Sequence, residues 1–218
     1  MSIASDTINR YDNMKRLSLA IVFACCTLAV AAQEEGFRVN YQGAKPTIKD
    51  FAKAYIASLL NPQDGEEPEG EGLYMYESMQ KAMICQEKGQ PLKKDQTLTI
   101  DLKNGFLVYE EKRDEYVDRI EMCFWNEADG KHILFADSRW GFENGKAILG
   151  QYDGLSFYRY DNATKKMARC NTPGFDVEYL DKCYALPRTG KDITVTQWDK
   201  NGKKTQKILK WNGHGFSY

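Results

Sequence analysis

The segment from Arg119 to Ser138 constrains the fold of this chain more than any other stretch. It consists of two apolar, aromatic runs separated by the short polar stretch 126–131. Asp129-Gly130 in that stretch supplies the positive φ angles that a tight reversal needs, so the two runs are predicted to pair as antiparallel strands. The rest of the chain is then placed relative to a central β-hairpin.

From Thr97 onward, apolar and polar residues alternate with a period of two, and turn signals such as Asn104-Gly105 recur at short intervals. This pattern is typical of an antiparallel β-meander, built as an open, strongly twisted sheet or as a sandwich. Besides the central hairpin, strands are predicted at 97–102, 106–110, 147–152, 155–160, 167–170, 177–180, 184–186, 193–198 and 207–211.

A weak repeat marks three of these strand ends, at Trp125-Asn126, Tyr160-Asp161 and Trp198-Asp199. In each case an aromatic residue is followed by Asn or Asp and then by a short turn that contains lysine. We expect the Asx side chain to bond the turn backbone and the aromatic ring to cover the hairpin end. Three partial repeats are too few to close a β-propeller, which needs at least about four blades of about 40 residues.

Two helices are predicted ahead of the strands. The first starts at Thr47, which can cap it together with Asp50, and ends at Asn61-Pro62. Its apolar residues follow one helical face: Ile48, Phe51, Ala52, Tyr55, Ile56 and Leu59. The second runs from about Leu73 to Lys88, with Met75, Met79, Ala82 and Met83 on one side. The predicted fold class is therefore α+β, with two N-terminal helices packed on an antiparallel β-meander.

The amino-terminal residues 1–32 are predicted to be an upstream extension followed by a secretory signal peptide. Met14-Lys15-Arg16 is charged, Leu17 to Val30 carries no charge, and small residues precede Gln33. Met14 is the favoured initiator, although Met1 remains an alternative. The apolar run is shorter than the roughly 20 residues of a membrane span. Lipid attachment at Cys25 is disfavoured because bulky Phe23 fits a lipoprotein signal poorly. Export to the periplasm or the cell surface is expected.

Residues 33–218 are predicted to form a single α+β domain. Its one biased segment is 61–72, where repelling glutamates alternate with glycine and proline. That composition prevents regular structure and predicts an acidic, solvated loop.

Four cysteines remain after removal of the signal peptide: Cys85, Cys123, Cys170 and Cys183. An even number entering an oxidising compartment predicts disulfides, in one of three connectivities. Cys170 with Cys183 is the simplest pair, because Pro173-Gly174 lets the chain fold back, and this leaves Cys85 with Cys123. Four reduced, buried thiols are the alternative. A metal site is not expected, since no pair shows the close spacing of zinc ligands.

No sequence motif indicates catalysis or a cofactor. The net charge of -1 gives no basic footprint for nucleic acid, so no nucleic-acid partner is predicted. The two histidines, His132 and His214, match no nucleophile or zinc pattern. Carboxylates could still supply an acid and a base for glycan hydrolysis, the candidates being Glu110, Glu111, Glu121, Asp137, Glu143 and Asp153.

Aromatic residues are the remaining candidates for ligand binding. If they share an exposed face of the sheet, they would form a platform able to stack on sugar rings or to contact a protein. The candidate residues are Tyr152, Tyr158, Tyr160, Trp198 and Trp211.

The signal peptide, the helices ahead of the Asx-Gly-Lys hairpins and the carboxy-terminal Trp211-Asn-Gly-x-Gly-Phe216 together resemble uncharacterised exported proteins of Bacteroidetes-type bacteria. This resemblance implies no activity. The favoured hypothesis is an exported, non-enzymatic binding module of the bacterial envelope whose ligand is a glycan or a protein. A carboxylate-dependent glycan hydrolase and an envelope inhibitor of a hydrolase are the alternatives.

Overall fold

A computed structural model describes residues 36–62, 72–144, 146–148, 154–178, 182–199, 201 and 203–218 of the chain. The predicted signal peptide, most of the predicted acidic loop, and Tyr152 lie outside the described residues.

Both predicted helices are present. α1 (Ile48–Leu60) begins after Thr47, whose backbone N–H and hydroxyl both donate to the Asp50 carboxylate, at 2.8 and 2.7 Å. This is the predicted cap, and it satisfies backbone groups that the first turn leaves unpaired. α2 (Leu73–Glu87) follows with its methionine stripe buried. Among the described residues, no helix is long and apolar enough to cross a membrane.

The strands form two antiparallel sheets. The large sheet contains β1 (Phe37–Arg38), β2 (Gln96–Asp101), β3 (Phe106–Arg113), β4 (Tyr116–Asn126), β5 (His132–Glu143), β6 (Lys146–Ile148), β7 (Gly154–Asp161) and β8 (Lys166–Cys170). Its order is β1-β8-β7-β5-β4-β3-β2, with β6 paired to β5. The small sheet contains β9 (Lys182–Ala185), β10 (Ile193–Trp198), β11 (Lys204–Trp211) and β12 (Phe216–Ser217), in the order β12-β11-β10-β9.

The α+β class with antiparallel sheets is confirmed, but the sheet is not a simple meander. In the large sheet β2 to β5 are sequential neighbours and so are β7 and β8, but β7 returns to pair with β5 beyond the short β6. The helices are also not strictly N-terminal, because β1 precedes them and pairs with β8 at the far edge. The last four strands leave the large sheet altogether.

Three layers result, because both faces of the large sheet are covered. Along β5, Ile133 and Phe135 pack in a core beneath the helices, whereas Leu134 and Ala136 pack in a core against the small sheet. Successive strand residues point to opposite faces, so a strand buried on both sides is apolar almost throughout. This explains the long apolar run of the central hairpin.

The predicted Asx turns are present, with one change of residue. The Asp161 carboxylate accepts the backbone N–H groups of Ala163 and Thr164 at 2.8 and 2.7 Å. The Asp199 carboxylate closes the β10–β11 turn in the same way. In the central hairpin this role belongs to Asp129 and not to Asn126, since Asp129 accepts the N–H groups of residues 131 and 132.

The structure contains neither of the two predicted disulfides. Cys85, Cys123 and Cys170 are free thiols. Cys85 lies on α2, in the helical layer, whereas Cys123 lies in the core between the sheets, so the large sheet separates them. Cys170 also packs on the inter-sheet core. Cys183 precedes Tyr184, which occupies that core, so strand alternation directs Cys183 to the opposite face of the small sheet.

Candidate functional site

The predicted aromatic platform is not present, because the described candidates lie in different layers. Tyr158 packs on Tyr55 of α1, with ring centroids 5.0 Å apart, and Tyr160 is fully buried in the helix-covered core. Trp211 instead packs on Phe216 at the inter-sheet core, at 4.9 Å. Trp198 is half-buried at the end of β10. The prediction fails physically because both faces of β7 are covered, so its aromatic residues serve as core.

The residues that do form a polar constellation lie where the first turns of α2 cross β4 and β5. Its buried part is centred on Asp137, which faces the helices from β5. The Tyr55 hydroxyl from α1 and the Tyr76 hydroxyl from α2 both donate to Asp137 Oδ2, at 3.2 and 2.5 Å. Asp137 Oδ1 is buried and has no hydrogen-bond partner. One carboxylate therefore connects both helices to the centre of the large sheet.

Burial dominates the protonation of this group. Desolvation raises the pKa of Asp137 to about 6, although the Tyr76 hydrogen bond, the nearby Arg139 charge and the Tyr55 hydrogen bond act in the opposite direction. Burial and the Asp137 charge also raise the pKa values of Tyr55 and Tyr76. The two hydroxyls therefore remain protonated donors at neutral pH.

Arg139 extends the constellation toward the amino-terminal end of α2. Its guanidinium lies 5.9 Å from the centre of the Tyr76 ring, within the range of a cation–π contact. Gly72 precedes α2 with a φ of 87°, and a Cβ at that position would lie 2.5 Å from Arg139 Nη1. The backbone conformation favours glycine there, and a Cβ would also require the Arg139 guanidinium to shift.

The outer part of the constellation is formed by the exposed side chains of Tyr74 and Arg113 and by Asp118, which is buried beneath them. The Tyr74 side chain is 38% exposed, and its hydroxyl donates to Asp118 Oδ2 at 3.2 Å. The Arg113 guanidinium lies 4.1 Å from the centre of the Tyr74 ring and donates to the same Asp118 oxygen at 2.6 Å. Burial, and secondarily the Asp118 charge, raise the pKa of Tyr74.

We call these six residues the α2 strip. Its outer group is Tyr74, Arg113 and Asp118, and its inner group, around the buried Asp137, is Tyr76, Asp137 and Arg139. Tyr74 and Tyr76 both reach from the first two turns of the helix to carboxylates of the sheet. The strip combines aromatic rings, guanidinium donors and carboxylate acceptors, which are the groups that recognise hydroxyl-rich ligands. Sequence reasoning included only Asp137 among its candidates. The sequence signal for Asp137 is that it is a single acidic residue within the apolar second strand of the central hairpin. Such a strand is expected to be buried, and a buried acid without a charged partner is rare, so it indicates a special role.

The other carboxylates proposed for acid–base chemistry are engaged by neighbouring groups. Arg119 pairs with both Glu110 and Glu121. Burial raises the pKa of Glu121 in spite of the arginine, and Glu121 also accepts the backbone N–H of Leu186 at 2.8 Å. Glu111 accepts a hydrogen bond from the Gln96 amide, and Glu143 raises the pKa of the exposed Tyr116 beside it. Asp153 lies outside the described residues.

A second cluster lies at the tip of the central hairpin and was not anticipated from the sequence. Ligand-type atoms of Glu127, Asp129 and His132 lie within 4.8 Å of one another. Protein groups already satisfy them: His132 contacts Asp129 at 2.5 Å and Asp161 at 3.5 Å, and Arg159 donates to Glu127 at 2.7 Å. The bond to His132 contributes most to lowering the pKa of Asp129 to about 2. The cluster therefore joins two hairpin ends through charge-assisted hydrogen bonds.

Comparisons of the chain with protein-family models, with curated proteins and with solved structures found no match.

Proposed function

We propose that this protein is a non-enzymatic binding module of the bacterial envelope, and that the α2 strip binds a glycan. The observation that carries the proposal is the exposed Tyr74 ring beside Arg113 and Asp118. A ring offers a surface on which the apolar face of a sugar stacks. The exposed Arg113 guanidinium, held by Asp118, offers donors for its hydroxyls.

The distance between the strip's own two carboxylates is too long for glycosidic cleavage by that pair. Asp118 and Asp137 are its two carboxylates, and Asp137 lies opposite Met122, which is four residues (122 minus 118) along β4 from Asp118. At about 3.3 Å per residue this separation is about 13 Å. Carboxyl pairs that cleave glycosidic bonds lie about 5–9.5 Å apart.

Glu110 and Glu121 are a second pair of neighbouring carboxylates that is unsuited to glycan cleavage. Glu110 and Glu121 bind the same Arg119 guanidinium, which lies between them. A substrate would have to displace that guanidinium to reach both acids, and the arginine would be left without partners beside a buried carboxylate.

The binding proposal is tested by presenting the purified mature protein to an array of envelope and polymer glycans, followed by calorimetry with each glycan retained. Tyr74→Ala is expected to weaken binding by about tenfold or more, as for a central aromatic contact. Tyr218→Ala is the matched control, because Tyr218 is also an exposed tyrosine and has Lys207 5.4 Å from its ring centre.

Three outcomes would overturn the proposal: an array without a retained glycan, equal affinity for the Tyr74→Ala variant, or an equal loss of affinity in the Tyr218→Ala control. Release of reducing sugar that one carboxylate substitution abolishes would replace binding by hydrolysis.

The export part of the proposal has a separate test. An intact-mass spectrum of the protein recovered from its native host is expected to show a chain that begins near Gln33, after the small residues of the leader. A mass that retains Met1 or Met14 would overturn export. An added lipid mass on Cys25 or Cys26 would place the protein on a membrane surface instead.

A further inference from the structure

We propose that Asp137 is a proton-binding site that links pH to how firmly the first turns of α2 are docked on the large sheet. The inference rests on the proposed function only in identifying those turns as part of a ligand site.

The geometry at Asp137 leaves one of its two oxygens available to take up a proton. Oδ2 accepts two hydroxyl donors, Tyr55 and Tyr76, whereas Oδ1 is buried without a partner. In a neutral acid, the carbonyl oxygen accepts and the other oxygen carries the proton. Oδ1 is therefore the oxygen that takes up the proton, and both tyrosine hydrogen bonds persist when it does. The ionised form instead leaves charge on a buried oxygen that no donor stabilises.

The groups around Asp137 come from every element packed against it. Tyr55 faces it from α1 and Tyr76 from α2, and Arg139 lies two residues along its own strand. The cross-strand partners on the same face are Ser156 of β7 and Met122 of β4, neither of which carries a charge. Two further titratable groups lie beyond this shell: Tyr158 on β7, whose ring packs on Tyr55, and Asp118, four residues along β4 from Met122. Arg139 is the charge of opposite sign in this surrounding, and its effect is smaller than that of burial.

Protonation at this position affects α2 because two side chains of its first turns donate hydrogen bonds to carboxylates of the large sheet. Tyr74 donates to Asp118 and Tyr76 to Asp137, so the same first turns depend on both carboxylates. When Asp137 is ionised, opening of α2 exposes the charge to water, and this gain in solvation lowers the free energy of opening. When Asp137 is neutral, opening brings no such gain and still breaks the Tyr76 hydrogen bond. The docked helix is therefore held more firmly in mild acid than at neutral pH.

Hydrogen–deuterium exchange of residues 73–87 in the full mature protein tests this link. After correction for the intrinsic exchange rate, protection of α2 is expected to fall about tenfold between about pH 5 and about pH 7.5. Asp137→Asn removes the titrating group and should abolish the change. His132→Gln is the control, because it removes an ionisable side chain at the other end of the same strand, β5. In that variant the tenfold change should persist.

Equal wild-type protection at both pH values, or an unchanged pH response in Asp137→Asn, overturns the proposal. If the asparagine variant does not fold, Tyr76→Phe gives a second test. The Tyr76 hydroxyl stabilises the ionised Asp137, so its removal should raise the pKa of Asp137. The pH at which the protection of α2 falls by half should then be higher than in the wild type, and an unchanged midpoint overturns the proposal. No ligand is needed in either experiment, so failure to bind a glycan leaves the result unaffected.

Discussion

The Tyr76 hydroxyl of α2 and the Asp137 carboxylate of β5 lie 2.5 Å apart, although 61 residues separate them in the chain. The bond connects the helical layer to the central strand within a largely apolar core. A buried carboxylate at such a point weakens the fold at neutral pH, so a purely structural role would be served better by an apolar or amide side chain. Strongly shifted pKa values of this kind are concentrated at functional sites.

Replacing Asp137 by asparagine is predicted to stabilise the protein at neutral pH. The pKa of Asp137 is raised to about 6 by burial, above its ordinary value, so this group stabilises the fold below about pH 4 and the contribution is lost as the pH rises through about 6. The full difference is about 3 kcal/mol. The free energy of unfolding measured by urea titration from about pH 4 to about pH 7.5 should fall less in Asp137→Asn than in the wild type.

Asp176→Asn is the control for this titration, because Asp176 is exposed and its neutralisation should leave the pH dependence unchanged. A variant at residue 137 that loses stability equally at every pH would show that the carboxylate is needed for packing, and would contradict the prediction.

Arg119→Met is predicted to destabilise the protein because it leaves Glu121 buried without its cation. Arg119 contacts Glu121 Oε1 through Nε and Nη2, at 2.9 and 2.5 Å, and the Glu121 side chain is only 4% exposed. Removing one partner of a buried pair costs about 3 kcal/mol. The loss should shrink as the pH falls, because burial already raises the pKa of Glu121 and a protonated acid needs no cation.

A double-mutant cycle with Glu121→Gln measures this coupling by chemical unfolding. The double variant should be more stable than Arg119→Met alone. Arg188→Met is the matched control, because Arg188 pairs with Asp101 at 3.0 Å but is 58% exposed, and little change is expected there. Equal losses for both arginines would contradict the prediction.

Local structure was largely predictable from the sequence because local signals determine it. The capped start of α1 at Thr47, its end at Asn61, and the reversals at Asn104-Gly105 and at 126–131 are all present. These features depend on side chains that bond their own neighbouring backbone, as Asp50 does, or on glycine at a positive φ, as at Gly105 and Gly130.

What could not be predicted was which layer covers each face of a strand. Alternation shows that Tyr158 and Phe157 point to opposite sides of β7, but the pattern is the same whether one side meets water or a second sheet. The aromatic platform failed for this reason, and so did the pairing of Cys85 with Cys123. A strand predicted at 177–180 is also absent over its described residues Val177 and Glu178, which lie in the connection between the sheets.

The α2 strip was missed because its residues come from distant segments. The sequence singles out neither Tyr74 nor Tyr76, because the stripe predicted for this helix consists of Met75, Met79, Ala82 and Met83. Arg113 lies beside the turn between β3 and β4. Only the tertiary fold brings these residues to Asp118 and Asp137.

Gly72→Ala is predicted to destabilise the start of α2 more than Gly89→Ala destabilises its end. Both glycines have positive φ angles, 87° and 64°, so alanine is strained at either position by about 1 kcal/mol. At Gly72 the new Cβ would also meet Arg139 Nη1 at 2.5 Å, whereas at Gly89 no atom lies within 4 Å. Thermal unfolding should show a larger loss for Gly72→Ala, and equal losses would mean that Arg139 moves aside freely.

Phe216→Ala is predicted to destabilise the protein severely, although it lies two residues from the carboxy terminus. Its ring is 2% exposed and packs on the rings of Trp211, Trp125 and Phe157, with centroids 4.9, 5.1 and 6.0 Å away. The backbone holds it in place, since its N–H donates to the Pro173 carbonyl at 2.8 Å. Truncating a buried phenylalanine costs about 3–5 kcal/mol through lost burial and the cavity that remains.

The measurement is urea unfolding together with near-ultraviolet circular dichroism, because two tryptophans contact the Phe216 ring and their signals report its packing. Tyr218→Ala is the matched control, since Tyr218 lies two residues further along and is 62% exposed. Its free energy of unfolding should change by about 0.5 kcal/mol or less. If Phe216→Ala lowered the free energy of unfolding no more than this control, β12 would not be needed for stability. The remaining strands of the small sheet would then have to cover the inter-sheet core. The described contacts oppose that outcome, because Phe216 links β4, β7 and β11 within one aromatic cluster.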